Sequence, residues 1–136
     1  HVTTTLNSPK KVRQIIERVA SPWVKVNIDA VNFISNFADA FDTTPMLRDL
    51  FAELGQYAAA MHIKDVVVGD DLVVHIDEDV PGRGFMDFDT LFREFEAVLP
   101  DGYGLVEHLP EPQIPEALAF VRAKLNELNI PIKANS

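Results

Sequence analysis

The chain has no cysteine among its 136 residues, which excludes disulfides, thiolate metal ligands and a cysteine nucleophile. It has no apolar run approaching the roughly 20 residues of a membrane span, and no signal peptide opens it. Basic residues are scarce: 12 Lys and Arg stand against 21 Asp and Glu, a formal net charge of −9. Nucleic-acid and anionic-membrane surfaces need clustered cations, so neither is an expected partner, and a cytoplasmic location is the default. Internal linkers, low-complexity tracts and short-period repeats are also missing. With 47% hydrophobic residues, what remains is one folded unit with a real core.

Three short apolar runs each end in a side chain that can bind a metal: Val24 to Asp29, Ala59 to Asp65 around His62, and Tyr103 to His108 around Glu107. Segments of helical periodicity separate them. Ser8-Pro9 has the form of an N-cap and first helical position, and Val12, Ile15, Ile16 and Val19 follow at i, i+3, i+4, i+7. Thr44-Pro45 opens a second helix carrying Leu47, Leu50, Phe51 and Leu54, stopped by Gly55. Asp87 caps a third with Leu91, Phe92, Phe95, Val98 and Leu99 on one face, and a fourth runs from Pro115 to about Leu128. The strands are expected at 24–29, 58–64 and 103–107. Between the second strand and the third helix, Val66 to Val68, a Gly69-Asp70-Asp71 turn and Leu72 to Ile76 read as an inserted hairpin. The acidic stretch from Asp70 to Asp79 reads as a solvated loop.

The order is therefore αβαβαβα, an α/β pattern whose successive strands run parallel and bring their last residues to one rim. Asp29, His62 and Glu107 gathered there form a mixed oxygen and nitrogen ligand set for a divalent ion such as Mn, Mg, Co or Zn. Alternation along the strands puts Lys25, Asn27, Lys64, Tyr103 and Leu105 on the same inward side, and Val24, Val26, Ile28, Met61, Ile63 and Val106 against helices. An apolar set confined to the helix side favours a sheet wrapped around a polar interior, as in an α/β barrel. A complete (β/α)8 barrel has eight strands and typically about 250 residues. Three strands cannot close, so residues 1–136 are expected to be the C-terminal portion of a TIM barrel, with open edges that pair with the missing half or with a second copy.

The segments Val26-Asn27-Ile28-Asp29-Ala30-Val31-Asn32, His62-Ile63-Lys64-Asp65, Pro81 to Phe88 (PGRGFMDF) and Leu105-Val106-Glu107-His108, in this order, resemble the xylose isomerase-like barrel superfamily, in particular its sugar isomerase and epimerase branch. The resemblance implies that Asp29, His62 and Glu107 end the sixth, seventh and eighth strands and hold one divalent ion, commonly manganese. It also implies a fourth ligand, a Glu ending the fifth strand, expected one or two residues upstream of His1. The implied reaction moves a proton through an enediolate of a small carbohydrate, with Glu107 as one of two catalytic carboxylates. Lys64, Arg83 and Asn32 are the implied substrate contacts, although Lys64 serves equally as an ion-pair partner of Asp29 or Glu107.

Two other readings stay open. Apurinic-site endonucleases of the same superfamily use several zinc ions, but the additional His ligands they need are replaced here by Asn32 and Asp77-Glu78-Asp79. A non-catalytic half-barrel or binding module would keep the fold without the chemistry. His108 is expected to point outward, His75 to be solvated, and Asp65 either to cap a turn or to orient a ligand. Phe33, Phe37 and Phe41 cover the rim or line a pocket. The Pro-rich, acidic segment after Glu107 favours a neutral sugar or hydroxy-ketone over a sugar phosphate.

Overall fold

The computed structural model describes residues 4–133. His1, where the remnant of a preceding strand is expected, lies outside the described residues.

Helix α1 (Pro9–Val19) starts as the sequence requires: the Ser8 hydroxyl accepts the Lys11 N–H and Pro9 occupies the first turn. It ends where Ala20 turns left-handed and returns its N–H to the Ile16 carbonyl. Strand β1 (Val26–Asp29) follows, then a 3-10 turn (Ala30–Phe33) and the short helix α2 (Phe37–Phe41). Helix α3 (Thr44–Leu54) buries Leu47, Leu50, Phe51 and Leu54, the stripe that its spacing predicts. Strand β2 (Ala58–Ile63) leads through Lys64 into a hairpin of β3 (Asp65–Val68) and β4 (Ile76–Asp79). Helix α4 (Phe88–Val98), strand β5 (Tyr103–Val106), a 3-10 turn (Glu111–Gln113) and helix α5 (Ile114–Glu127) complete the chain.

β1, β2 and β5 form one parallel sheet in the order β1-β2-β5, and the hairpin is a separate antiparallel pair. The register places Asp29 beside His62 and His62 beside Leu105, so Glu107 emerges two residues beyond that row. One face of the sheet is the core: Ile28, Met61 and Ile63 are buried with Leu50, Leu54, Leu91 and Phe92, and Val26 and Val106 pack against them. On the opposite face Asn27, Tyr103 and Leu105 are exposed. This is the wall of an α/β barrel, covered by helices outside and open inside, with the αβαβαβα order and inserted hairpin expected of it.

Several local expectations are corrected. The first strand begins at Val26 rather than Val24, because Val24 closes a turn onto the Ser21 carbonyl and stays exposed. The second and third strands stop at Ile63 and Val106, one residue early. In the hairpin the returning strand is the acidic 76–79, not 72–76. Val68 pairs with Ile76, and Gly69 donates to the His75 carbonyl, which leaves Leu72, Val73 and Val74 at the exposed tip. Gly55 caps α3 where expected, but in the right-handed conformation: its φ is −54°, and the chain continues into a 3-10 turn (Gly55–Tyr57). A Cβ there would meet Val98 Cγ1 at 2.8 Å, so glycine is required by the close approach of α4.

Asp65, 1% exposed, organises the loop after the hairpin. Its Oδ1 accepts the N–H groups of Val66 and Met86, and its Oδ2 those of Gly82 and Gly84, all within 3.0 Å. Asp65 is therefore a loop anchor. A Cβ at Gly84 would collide with the Val66 carbonyl, and Gly82 has a φ of +97° with the Phe120 ring where a Cβ would point. Both glycines of the Pro81-Gly82-Arg83-Gly84 turn are thus demanded by backbone geometry. Phe41 meets Phe85 edge to face at 5.0 Å and is half exposed, which makes it a cover of this loop.

Candidate metal centre

Three strand ends build the site. Asp29 follows the fully buried Ile28, His62 lies between the buried Met61 and Ile63, and Glu107 follows the half-buried Val106, so the packed neighbours fix where each polar side chain emerges. One ligand atom from each of Asp29, His62 and Glu107 lies within 4.8 Å of the others. His62 Nδ1 stands 3.3 Å from Asp29 Oδ2 and 3.0 Å from Glu107 Oε2. Its other nitrogen, Nε2, is 2.6 Å from the Asn27 amide nitrogen, which donates to it. Nδ1 is thus the ring nitrogen turned towards the two carboxylates.

Lys64 lies among the acids. It is 3% exposed, and its ammonium is 2.9 Å from Asp29 Oδ2, 2.8 Å from Glu107 Oε2 and 3.3 Å from Glu78 Oε1. Burial works against the charge, but the bonds to Glu107 and Asp29 outweigh it and raise the lysine above its ordinary range. The same bond from Lys64 holds the Glu107 carboxyl below its usual range, with burial opposing and the imidazoles of His62 and His108 assisting. Glu107 is therefore ionised at neutral pH.

Two further residues complete the cluster. Glu78 comes from β4, and His108 Nδ1 is 3.0 Å from its Oε2 and 3.2 Å from Lys64 Nζ. His108 Nε2 is 3.7 Å from Glu107 Oε2. His108 was expected to face outward. It instead joins the cluster because its φ of +57° breaks the strand alternation just after Glu107, a conformation uncommon outside glycine. Lys64, Glu78, Asp79, Glu107, His108 and Gln113 line a depression beside the three ligands.

The other predicted contacts are placed differently. Asn32 sits in the 3-10 turn that follows Asp29 and is half-buried. The Arg83 guanidinium grips Glu116 with bonds of 2.8 and 2.6 Å and lies 3.7 Å from Asp79. His75 is exposed beside the hairpin tip. Sequence reasoning missed Glu78, whose strand it took for a loop, and gave Asn27 an inward side chain but no task. The signal for Asn27 was its position two residues before Asp29 on the same strand face.

The donor set suits a divalent cation. Asp29 Oδ1 is buried and has no hydrogen-bond partner among the described residues, an arrangement that costs free energy unless a cation or donor meets it. The carboxylates of Asp29, Glu78 and Glu107 outnumber the single Lys64 ammonium by three to one. Two oxygens and one imidazole nitrogen are a normal partial shell for Mn, Mg, Co or Zn.

A sheet of parallel strands with helices on one face defines a segment of an α/β barrel, and its strand ends gather a group that could hold a metal ion. The chain belongs to the xylose isomerase-like TIM barrel family, whose sequence profile matches residues 1–124. Its structure is similar to that of a xylose isomerase domain protein from Planctomyces limnophilus, with a TM-score of 0.71 at 18% identity. That likeness covers 93% of this chain and 44% of the other, so the chain spans less than half of that protein's length. Among curated proteins nothing matches the chain. No helix among the described residues is long and apolar enough to cross a membrane.

Proposed function

We propose that these residues belong to a divalent-metal-dependent isomerase or epimerase of a small sugar or hydroxy-ketone. The observation that carries this reading is the convergence of Asp29, His62 and Glu107, one ligand atom from each lying within 4.8 Å of the others. Those three side chains would hold the ion, with manganese the first candidate. A bound ion supplies Lewis-acid polarisation of a substrate carbonyl, which makes the neighbouring C–H more acidic.

The chain's own groups do the rest. Glu107, ionised and half-exposed on the depression, accepts or returns a proton at its carboxylate in a reaction that passes through an enediolate. Asn27 fixes the His62 ring through Nε2. The second carboxylate and the fourth ligand come from outside residues 1–136, in the part of the barrel that precedes them. The depression sets the carboxylates of Glu78, Asp79 and Glu107 against the single ammonium of Lys64, and Arg83 is committed to Glu116, so a phosphate would meet an excess of negative charge there. A neutral polyhydroxylated ketone is the favoured substrate. Asn32 and Arg83 remain candidates for contact with its hydroxyls.

The test uses the full-length protein. About one Mn, Co or Zn per chain by elemental mass spectrometry, with solvent deuterium entering a ketose at the carbon beside its carbonyl, is the expected result. Glu107→Gln should abolish the exchange. A protein that holds no divalent ion, or exchange that survives Glu107→Gln, would refute the reading.

A further inference from the structure

We propose that Lys64 is a displaceable place-holder for the divalent ion: its ammonium bridges Asp29 and Glu107 and moves onto Glu78 and His108 when metal enters. The proposal rests on the metal reading above and concerns how the site is filled.

Lys64 Nζ is bonded to the same two oxygens, Asp29 Oδ2 and Glu107 Oε2, that His62 Nδ1 faces. An ammonium at 2.9 and 2.8 Å from both carboxylates does for them what a cation ligated by them would do: it cancels their mutual repulsion. A divalent ion taken by those oxygens meets that ammonium as a like charge at close range, in a place with little water to screen it. The two cations therefore compete. The lysine has somewhere to go, because Glu78 Oε1 is already 3.3 Å from Nζ and His108 Nδ1 3.2 Å away. Those acceptors stand on the solvent side of the cluster, where Glu78 and His108 side chains are 36% and 63% exposed against 2% for Lys64. A four-carbon stem with free rotation covers that shift, and Lys64 itself lines the adjoining depression. Glu78 and His108, which take no part in the three-ligand set, acquire a use: they receive the released charge.

The experiment titrates full-length wild-type protein, stripped with chelator, with Mn2+ while Lys64 accessibility is followed by reductive methylation and mass spectrometry. Methylation of Lys64 should rise along the Mn2+ binding isotherm. Lys64→Met, which cannot compete, should bind Mn2+ more tightly, by about 5- to 150-fold, as read by chelator competition. If Mn2+ binds and Lys64 stays as protected as before, the place-holder is overturned while the metal reading stands. Weaker or unchanged Mn2+ binding by Lys64→Met overturns it as well, since the lysine then supports the ligands rather than competing with metal. Should neither protein bind Mn2+, the metal reading falls and takes this proposal with it. Should Lys64→Met fail to fold, the wild-type labelling decides alone.

Discussion

Asp65→Asn separates architecture from ligation at the His62-Ile63-Lys64-Asp65 segment. In the native chain the carboxylate accepts four backbone N–H groups, two on each oxygen, from Val66, Gly82, Gly84 and Met86. An asparagine has the same shape, but one of its ends is an NH2 that faces two N–H donors and can accept from neither. Two hydrogen bonds to a charged acceptor are lost, each contributing about 1.5 to 3 kcal/mol, and two buried donors are left facing a third. The expected loss is about 3 to 6 kcal/mol, a large share of the roughly 5 to 15 kcal/mol that holds a domain together. Equilibrium urea unfolding measures the loss. Limited proteolysis should also find residues 81–86 newly accessible. If Asp65→Asn costs less than about 1 kcal/mol, the four bonds are not the anchor they look like. If it weakens Mn2+ binding while leaving stability alone, Asp65 works by orienting a metal ligand instead.

Asp87 receives hydrogen bonds from the Thr44 and Thr90 hydroxyls and the Thr90 N–H, and although burial opposes ionisation, these hold its carboxyl below the usual range. A lowered folded-state pKa stabilises above the unfolded value of about 4 and loses that contribution as pH falls through the folded value. Asp87→Ala should therefore cost about 1 kcal/mol at pH 7 and show a smaller difference from wild type in unfolding experiments towards pH 2. Asn27→Leu removes the partner of His62 Nε2 and should weaken Mn2+ binding by about 10- to 100-fold with little change in the urea midpoint; unchanged affinity would mean that the ring is held by Asp29 and Glu107 alone. Residues 1–136 produced alone should associate, because among the described residues β1 and β5 each keep an unpaired edge and Trp23, 91% exposed, stands just before β1. A dilution-resistant monomer in light scattering would contradict that.

Most of the barrel wall was legible because its signals are local and repeated. The Leu47, Leu50, Phe51, Leu54 stripe, the Ser8 and Asp87 caps and the period-two strands each need only their own neighbours to be read. Asp29, His62 and Glu107 could be grouped because parallel strands end at one rim. What stayed hidden depends on distant partners or single torsions. β4 lies on an acidic segment with poor strand propensity, yet pairing with Asp65 to Val68 overrides that preference, and the better-looking Leu72-Val73-Val74 is left at the tip. His108 was misplaced by one positive φ. Gly55 does cap α3 as expected, but the Val98 side chain that requires a glycine there is far along the chain.

Two kinds of restraint meet in the site. Asp29, His62 and Glu107 each adjoin a residue packed into the helix-covered core, so their positions are set by close packing that resists small displacements. Lys64, Glu78 and His108 are held chiefly by charge, and Glu78 and His108 stand towards solvent. Ligands that must present a fixed shell belong to the first kind. Groups that must yield when a cation or a substrate arrives belong to the second, since an exposed ion pair such as that of Glu78 with His108 can be exchanged for another at little cost whereas a packed side chain cannot. Substitution should report the division directly: changing Ile28, Met61 or Ile63 alters stability first and the site through it, whereas changing Glu78 or His108 alters cation binding with the fold intact.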